Sequence, residues 1–280
     1  MKKKNNNIRL IPRIDIKGSN LVKGINLEGF RALGPANLYI EKYYNEQADE
    51  ILLNDVVASL YGRESLNDFI KMITAKVFVP LIVGGGIKTL NDIEYLLKSG
   101  ADRIFFNSSI IKKPKLLDES VKYFGSSTII ASIEAIKISD KFMCLSDSGR
   151  EETGLNVLAW AKEVESRGVS EIIITSISNE GIGKGFDLEL INLLNETISI
   201  PFIVSGGYGR LNHIKEILEF SNLSGISIAS ALHYTAKNNL NFDTKNYEEG
   251  NYDFTNKKIN YKNFETTSIK KIKKFINNNI

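Results

Sequence analysis

The sequence predicts an α/β protein, a (β/α)8 TIM barrel built from two duplicated half-barrels. Short apolar runs rich in Ile, Val and Phe alternate about eight times with longer amphipathic stretches between Ile8 and Ala236. Near-continuous apolar runs are typical of strands that are buried on both faces of a parallel sheet. Eight strand–helix units over roughly 230 residues fit a closed barrel better than a six-stranded open sheet.

The individual elements follow from these apolar patterns. The predicted strands are Ile8–Ile14, Ile51–Asp55, Leu81–Val83, Arg103–Asn107, Thr128–Glu134, Ile172–Thr175, Phe202–Val204 and Gly225–Ala229. Helices are predicted where apolar residues recur at helical spacing on one face. They are Leu66–Ile73, Leu90–Leu97, Val157–Arg167, Leu188–Asn195 and Ile214–Phe220.

An internal repeat indicates the duplication. The segment 48–55 matches 169–176 and the segment 80–86 matches 201–207, an offset of 121 residues in both cases. Asp15 and Glu134 are separated by nearly the same distance along the chain. Chance likeness between α/β units is the alternative, but two matches at one offset favour a half-barrel that was duplicated and closed on itself.

Composition excludes several classes of protein. The chain has 280 residues, of which 42% are hydrophobic and 25% charged, so wholesale disorder is excluded. A net charge of +3 is too small to indicate nucleic-acid binding. No apolar run is long enough to cross a bilayer. The basic start is not expected to be a secretory signal, because Arg9, Pro12, Arg13 and Asp15 interrupt its apolar stretch.

The few cysteines and histidines set further limits. Cys144 is the single cysteine and cannot form a disulfide within the chain, which fits a reducing cytoplasm. With His213 and His233 as the only histidines, a zinc site of the usual Cys/His type cannot be assembled from this chain. We therefore predict a cytoplasmic protein without a metal or another cofactor.

The composition changes near residue 237. We divide the chain into a barrel over residues 1–236 and a polar, Asn/Lys-rich C-terminal extension over 237–280. A short basic helix is expected near Ser268–Ile276, because Ile269, Ile272 and Ile276 share one face. The extension also carries aromatic residues that we expect to pack on the barrel, namely Tyr247, Tyr252, Phe254, Tyr261 and Phe264.

Two carboxylates mark the expected active site. In a TIM barrel, ligands bind at the carboxyl ends of the strands. Asp15 follows the first strand and Glu134 follows the fifth, so the two face each other across the mouth. Such a pair suits a general acid and a general base, provided that their surroundings separate their pKa values. Strand-end capping or ion pairing is the structural alternative, and spacing alone does not decide between them.

Glycine clusters at strand ends predict two phosphate sites. A backbone without Cβ atoms can approach a phosphate closely and offer it several N–H groups. Short polar residues after the next strand complete each site. The first site comprises Gly85, Gly86, Asn107 and Ser108, and the second comprises Ser205, Gly206, Gly207, Ala229 and Ser230. Since the repeat duplicates the cluster, a ligand with two phosphates is expected to span the mouth, although strand-end glycines are also ordinary turn residues.

Charged residues form a third set at the opposite strand ends. Arg9, Glu50, Arg103 and Glu171 lie near the amino ends of four different strands. They are expected to form a polar ring around the barrel axis, either as a structural feature or as a gate for a small molecule. Taken alone, the pattern favours the structural role.

Several stretches of the chain match one known protein family. They are Asp15-Ile16-Lys17, Leu21–Asn26, Tyr44-Asn45-Glu46, Val83–Ile87, Gly149-Arg150-Glu151, Thr153-Gly154-Leu155, Trp160–Glu165 and Ser205-Gly206-Gly207. With these stretches in this order, the chain resembles the cyclase subunit of imidazole glycerol phosphate synthase, in the histidine-biosynthesis barrel family. The resemblance covers about Ile8 to Tyr234.

The resemblance implies a lyase of histidine biosynthesis. In that family a separate glutaminase releases ammonia, which passes through the barrel and attacks a ribulosyl aminoimidazole bis-phosphate at the mouth. The resemblance implies Asp15 as an acid–base residue and Lys23 on a mobile first loop, and it makes the charged ring an ammonia gate. Asp102 would face the glutaminase. Further active-site positions are Asp55, Thr175, Glu180 and Gly181.

A partner subunit is implied as well. A glutaminase needs an activated Cys with a His base. Cys144 lies in an apolar, strand-like context and is interpreted as a core residue. His213 and His233 are interpreted as a helix-start and a loop residue. We therefore expect a heterodimer with a glutaminase, and a hollow barrel whose central passage conducts ammonia.

Departures from the family leave two other functions open. Glu134 stands where the family has Asp, and Ser178-Asn179-Glu180-Gly181-Ile182 replaces an Asp–Arg–Asp–Gly–Thr run. An additional methylene displaces a carboxylate by about 1 Å, which can slow a reaction on the order of 10²-fold. The changes resemble a paralogue that conducts ammonia to an amidotransferase for surface-polysaccharide sugars. A phosphoribosyl isomerase of the sister family is the third possibility, disfavoured by the ring and by the Lys23–Asn26 segment.

Overall fold

Eight parallel strands close into a barrel in the computed structural model, which describes residues 7–57, 64–240 and 263–279. In chain order the barrel strands are β1 (Arg9–Lys17), β4 (Ile51–Asp55), β5 (Leu81–Gly84), β6 (Arg103–Phe106), β7 (Ile129–Ile138), β10 (Glu171–Ser176), β11 (Phe202–Ser205) and β12 (Leu223–Ile228). Each pairs in parallel with the next, and β12 pairs with β1 to close the ring. The predicted TIM barrel is confirmed, and each predicted strand forms to within a few residues.

Helices surround the strands. They are α1 (Ala36–Asn45), α2 (Glu64–Thr74), α3 (Leu90–Lys98), α4 (Ser108–Lys112), α5 (Lys115–Phe124), α6 (Val157–Ser166), α7 (Leu188–Thr197), α8 (Leu211–Lys215), α9 (Ser230–Lys237) and α10 (Ile269–Asn277). Polar side chains satisfy free N–H groups at several helix starts. Thr89 and Asp92 form a capping box on α3, and the side chains of Asn156 and Asp187 cap α6 and α7.

Two antiparallel hairpins repeat the same design in both halves. The strands β2 (Asn20–Ile25) and β3 (Glu28–Pro35) follow the first barrel strand, while β8 (Lys141–Ser146) and β9 (Glu151–Asn156) follow the fifth. Each hairpin extends its barrel strand at the carboxyl end. Local sequence patterns do not predict these hairpins, but their equivalent positions support the duplication.

The interior of the barrel is filled. A separate apolar layer takes one side chain from each of seven barrel strands, namely Ile11, Leu52, Ile82, Phe105, Ile130, Ile173 and Ile203. The eighth strand contributes Gly225, where an added Cβ would come within 3.0 Å of Ile11. The expected open central passage is therefore wrong at this level, because TIM-barrel interiors are packed layers of side chains and not pores.

The last helix completes the outer ring. Ile269, Ile272 and Ile276 of α10 are buried in the main core, as their shared face predicts. The helix packs against α8, and its Lys273 Nζ donates to Asp49 Oδ1 at 2.5 Å beyond the end of α1. Although the division of the chain at residue 236 stays a prediction, this part of the extension shares the core of the barrel.

One predicted helix is wrong in its position. The helix near Ile214–Phe220 forms instead as α8, and residues 216–219 are turns. Ile217 N donates to Ile214 O, and the three-residue spacing keeps both side chains buried without an α-helix. Of the aromatic residues expected to pack on the barrel, Phe264 does so, while Tyr247, Tyr252, Phe254 and Tyr261 lie outside the described residues. No helix in the described ranges is long and apolar enough to span a bilayer.

Candidate active site

Asp15 lies at the carboxyl end of β1 and is fully buried. Its Oδ1 accepts hydrogen bonds from Arg13 Nε and Asn54 Nδ2, both at 2.9 Å. Burial by itself raises the pKa of Asp15, but the charges of Arg13 and Lys23 and the two hydrogen bonds outweigh it and lower that pKa. Asp15 is therefore ionised at neutral pH.

Glu134 lies at the equivalent position of β7. Its Oε2 accepts a hydrogen bond from the backbone N–H of Gly149 at 2.9 Å. Burial raises the pKa of Glu134 to about 7, against the lowering effects of Arg13, Gly149 and Asn107. The two carboxyl groups that the sequence places across the mouth thus differ in proton affinity, which is the condition for acid–base work by such a pair.

The first hairpin covers the mouth. Lys23 lies in β2, and its Nζ donates to Glu180 Oε1 at 2.6 Å, with both side chains almost completely buried. Asn26 fastens the hairpin by donating from its backbone N–H to Glu180 O and from its amide to Ile177 O, at 3.0 and 2.7 Å. Lys23 is therefore engaged by Glu180 in this structure.

The second predicted phosphate site is assembled as a cavity. Its walls include all of the predicted members and several neighbours: Glu180, Gly181, Ser205, Gly206, Gly207, Tyr208, Ser227, Ile228, Ala229, Ser230 and Phe264. The hydroxyl groups of Ser227 and Ser230 are buried and have no hydrogen-bond partner among the described residues. A buried hydroxyl without a partner is costly, so both hydroxyl groups can donate a hydrogen bond to a group that enters the cavity.

The first predicted phosphate site lies at adjacent strand ends. Gly85 and Gly86 follow β5, and Asn107 and Ser108 follow the neighbouring β6. Ser108 Oγ already accepts the N–H of Asp147 at 2.8 Å, while Asn107 Oδ1 is buried without a partner in the described chain. At Gly85 the φ is +109°, and an added Cβ would lie 2.3 Å from Asp55 O. Packing between loops therefore requires this glycine, whatever it binds.

The charged ring forms at the other end of the barrel. Arg9 Nη1 donates to Glu50 Oε1 at 2.8 Å, and Arg103 Nη1 donates to Glu171 Oε2 at 2.7 Å. Arg9 also pairs with Glu171, so the four predicted residues make one connected network. Burial raises the pKa of Glu50, although Arg9 and Arg103 oppose the rise. Every member of the ring is therefore engaged in an ion pair in this structure.

The predicted position of one histidine is wrong, whereas those of the cysteine and the other histidine are confirmed. His233 is not a loop residue but is buried in α9, where its Nε2–H donates to Arg13 O at 2.8 Å and its Nδ1 accepts the Tyr43 hydroxyl at 2.7 Å. Burial lowers the pKa of His233 to about 3, so it is neutral. Cys144 is buried in β8, and burial raises its pKa to about 12. His213 lies in α8 near its start, as expected.

Three residues around the mouth are not predicted as site residues from the sequence. Asn54 donates a hydrogen bond to Asp15, and Phe264 of the extension lines the second predicted phosphate site. Arg13 contacts Asp15 and, at 3.4 Å, the hydroxyl of Thr175. Alternation along β1 was a usable signal for Arg13, because residues two apart in a strand share a face. For Phe264 the sequence predicts packing on the barrel but gives no signal for this particular site, because long-range packing brings the residue there.

Comparison with known proteins agrees with this geometry. A family model described as histidine biosynthesis protein matches residues 9–238. The imidazole glycerol phosphate synthase subunit HisF of Legionella pneumophila is 46% identical over 206 residues, which are 73% of this chain and 97% of that protein. The HisF subunit of Campylobacter concisus is 43% identical over 211 residues, 75% of this chain and 84% of its own length. That of Clostridium botulinum is 39% identical over 246 residues, 86% and 96% of the two chains. The chain therefore belongs to the HisF family of histidine-biosynthesis barrels, the cyclase-type subunits of imidazole glycerol phosphate synthase.

Proposed function

We propose that this chain is the lyase subunit that uses ammonia from a glutaminase to convert a ribulosyl aminoimidazole bis-phosphate into imidazole glycerol phosphate. The observation that carries the proposal is the pair Asp15 and Glu134, which face one mouth with separated proton affinities. The two predicted phosphate sites, which lie at two other pairs of strand ends, suit a ligand with a phosphate at each end. Asp15 is suited to take a proton from the attacking nitrogen, and Glu134 to give one to the leaving group.

The decisive measurement is ammonia-dependent turnover of the purified chain with the bis-phosphate. Formation of imidazole glycerol phosphate at ordinary enzyme rates is the expected result. The nitrogen must arrive as neutral ammonia, because an ammonium ion would lose its hydration in the apolar layer of the barrel. Since that layer is closed in this structure, passage also requires its side chains to move.

The ammonia-conducting paralogue is the second candidate, and one observation favours it. Glu180 forms a buried ion pair with the amine of Lys23, so in this structure the cation is not available to a ligand in the mouth. A chain that binds the bis-phosphate without converting it would identify the conduit, and turnover restored by Glu134→Asp would assign the loss to the longer side chain. A sugar amidotransferase would then be the final acceptor of ammonia.

Binding at the second phosphate site can be tested through Ser230. We expect Ser230→Ala to weaken the binding of inorganic phosphate about 10- to 100-fold, because a hydrogen bond to a charged group contributes about 1.5–3 kcal/mol. The same change removes a buried hydroxyl that lacks a described partner, so the phosphate-free protein should lose no stability. Isothermal titration and thermal unfolding measure the two effects.

Ser120 provides a matched control for this test. Its hydroxyl is equally buried but donates to Leu116 O at 2.6 Å, in a helix on the outside of the barrel. Ser120→Ala should lower stability and leave phosphate binding unchanged. Equal phosphate affinity in Ser230→Ala and in the unaltered protein would contradict a phosphate site at Ser230.

A glutaminase partner is expected at the end of the barrel that carries the charged ring. Exposed aromatic side chains surround this end: Phe78 precedes β5 and is 76% exposed, and Tyr123 in the last turn of α5 is 69% exposed. Aromatic residues are enriched at protein interfaces, where single anchors contribute 2 kcal/mol or more. In the cytoplasm, where we expect the protein, such a face would be covered by its partner.

We expect Phe78→Asp to weaken association with the glutaminase at least about 10-fold, since it replaces an apolar anchor by a charge. Sedimentation or calorimetry of the two purified subunits measures this. Leu188→Asp is the control, because Leu188 is 41% exposed at the start of α7, near the opposite end of the barrel. Equal weakening by both variants would argue against docking at the ring.

A further inference from the structure

Arg13 is a buried cation in the interior of the barrel, and the proposed function gives it no role. It lies on β1 between Ile11 of the apolar layer and Asp15 of the mouth, and it is 5% exposed. Its Nε donates to Asp15 Oδ1 at 2.9 Å, and its Nη1 lies 3.4 Å from Thr175 Oγ1. Thr175 belongs to β10, which is not a neighbour of β1, so the guanidinium crosses the barrel interior.

The charges around Asp15 come from several elements. The groups that act on it or share its surroundings are Arg13 on β1, Lys23 on β2, Glu134 on β7, Glu180 after β10 and neutral His233 on α9. Lys23 is already paired with Glu180 at 2.6 Å. Arg13 is therefore the cation in direct contact with Asp15, and within the described residues it donates no hydrogen bond to Glu134 or Glu180.

The hydrogen bonds leave the two oxygens of Asp15 in different states. Oδ1 accepts hydrogen bonds from both Arg13 and Asn54, whereas Oδ2 is buried without a partner in the described residues. An uncharged donor such as Asn54 orients the carboxyl group and offsets only part of the cost of burying its charge. A fixed cation at 2.9 Å offsets a larger part of this cost.

We propose that Arg13 is a positioning residue, which holds Asp15 as an anion with Oδ2 free to accept a proton and thereby leaves proton donation to Glu134. This inference rests on the proposed acid–base roles of the two carboxyl groups. It explains how two carboxyl groups at equivalent positions of a duplicated barrel take different parts. The repeat places Asp15 and Glu134 at equivalent positions. Their surroundings differ because Arg13 stands two residues before Asp15, whereas Ser132 stands two residues before Glu134.

The test follows the titration of Asp15 in the whole chain. Carbon-13 labelling of the carboxyl groups allows their titration by NMR between pH 3 and 9, with Asp15→Asn to assign the signal. Arg13→Met should move the midpoint of Asp15 upward by about 1–3 pH units, the usual effect of a neighbouring arginine. Arg13→Lys, which keeps the charge and is the safer variant for folding, should restore most of this shift. Arg150→Met, at an exposed arginine, should change nothing.

Turnover then separates this inference from the proposed function. If the unaltered chain is active, Arg13→Met should move the acidic limb of its pH–rate profile upward by the same shift and lower the rate more than the affinity for the bis-phosphate. An unchanged Asp15 midpoint in both Arg13 variants overturns the positioning role, whether or not the chain turns over. An inactive chain with a shifted midpoint contradicts the proposed reaction but supports the action of Arg13 on Asp15.

Discussion

Replacing Glu134 by glutamine is expected to slow formation of imidazole glycerol phosphate by about 10²–10⁴-fold, the usual contribution of a general acid or base. Glutamine has nearly the same shape and its amide oxygen can still accept the N–H of Gly149, so the barrel should fold as before. It carries no proton that it can give to a leaving group. Steady-state kinetics with saturating ammonia measures the loss.

The pH dependence gives a second reading of the same variant. The pKa of Glu134 is about 7, so the protonated form needed for donation disappears as the pH rises through 7. Activity of the unaltered chain should therefore fall above pH 7, and the residual activity of Glu134→Gln should lack that limb. Glu152→Gln, at an exposed position on β9, is the matched control. A Glu134→Gln enzyme with full activity would refute the assignment.

Stability should change with pH in a related way. Since folding raises the pKa of Glu134 from 4.5 to about 7, its contribution to folding is complete below pH 4.5 and is lost as the pH rises through 7. Glu134→Gln abolishes this loss, which amounts to roughly 3 kcal/mol. The variant should therefore gain stability relative to the unaltered protein between pH 5 and 8, as urea unfolding can measure. This readout does not depend on catalysis.

Ending the chain after Leu240 is expected to prevent stable folding. The deletion removes α10, whose Ile269, Ile272 and Ile276 belong to the main core. Truncating one buried isoleucine to alanine costs about 2–5 kcal/mol, and a whole domain is stable by about 5–15 kcal/mol. Loss of all three, together with the exposed core that they cover, therefore approaches the full stability of the domain. Circular dichroism and thermal unfolding of the shortened chain test this.

Single substitutions in α10 show how much of the effect of the deletion comes from this helix. Ile272→Ala should cost about 2–5 kcal/mol, whereas Lys274→Ala, on the exposed side of the same helix, should remain within about 0.5 kcal/mol. A shortened chain that unfolds at the same temperature as the full chain would show that the barrel does not need α10.

Local patterns along the chain are enough to predict much of this protein. Apolar runs define the eight barrel strands, and the repeat of segments 48–55 and 80–86 identifies the half-barrel design. The spacing of the three isoleucines of α10 also predicts its buried face from the sequence. These predictions succeed because backbone pairing and burial depend on short-range periodicity, and because parallel strands bring residues at their carboxyl ends to one mouth.

Tertiary structure alone decides how the mouth works. The sequence places Asp15 and Glu134 at equivalent positions, but their different proton affinities arise from burial and from Arg13, which reaches across the barrel to β10. The pairing of Lys23 with Glu180 and the wall formed by Phe264 join residues that are far apart in the chain. The filled interior contradicts the expected open passage, because the order of the strands does not reveal which side chains fill the barrel. Periodicity fixes which face of an element is buried, whereas charge, solvation and packing depend on which distant side chains meet there.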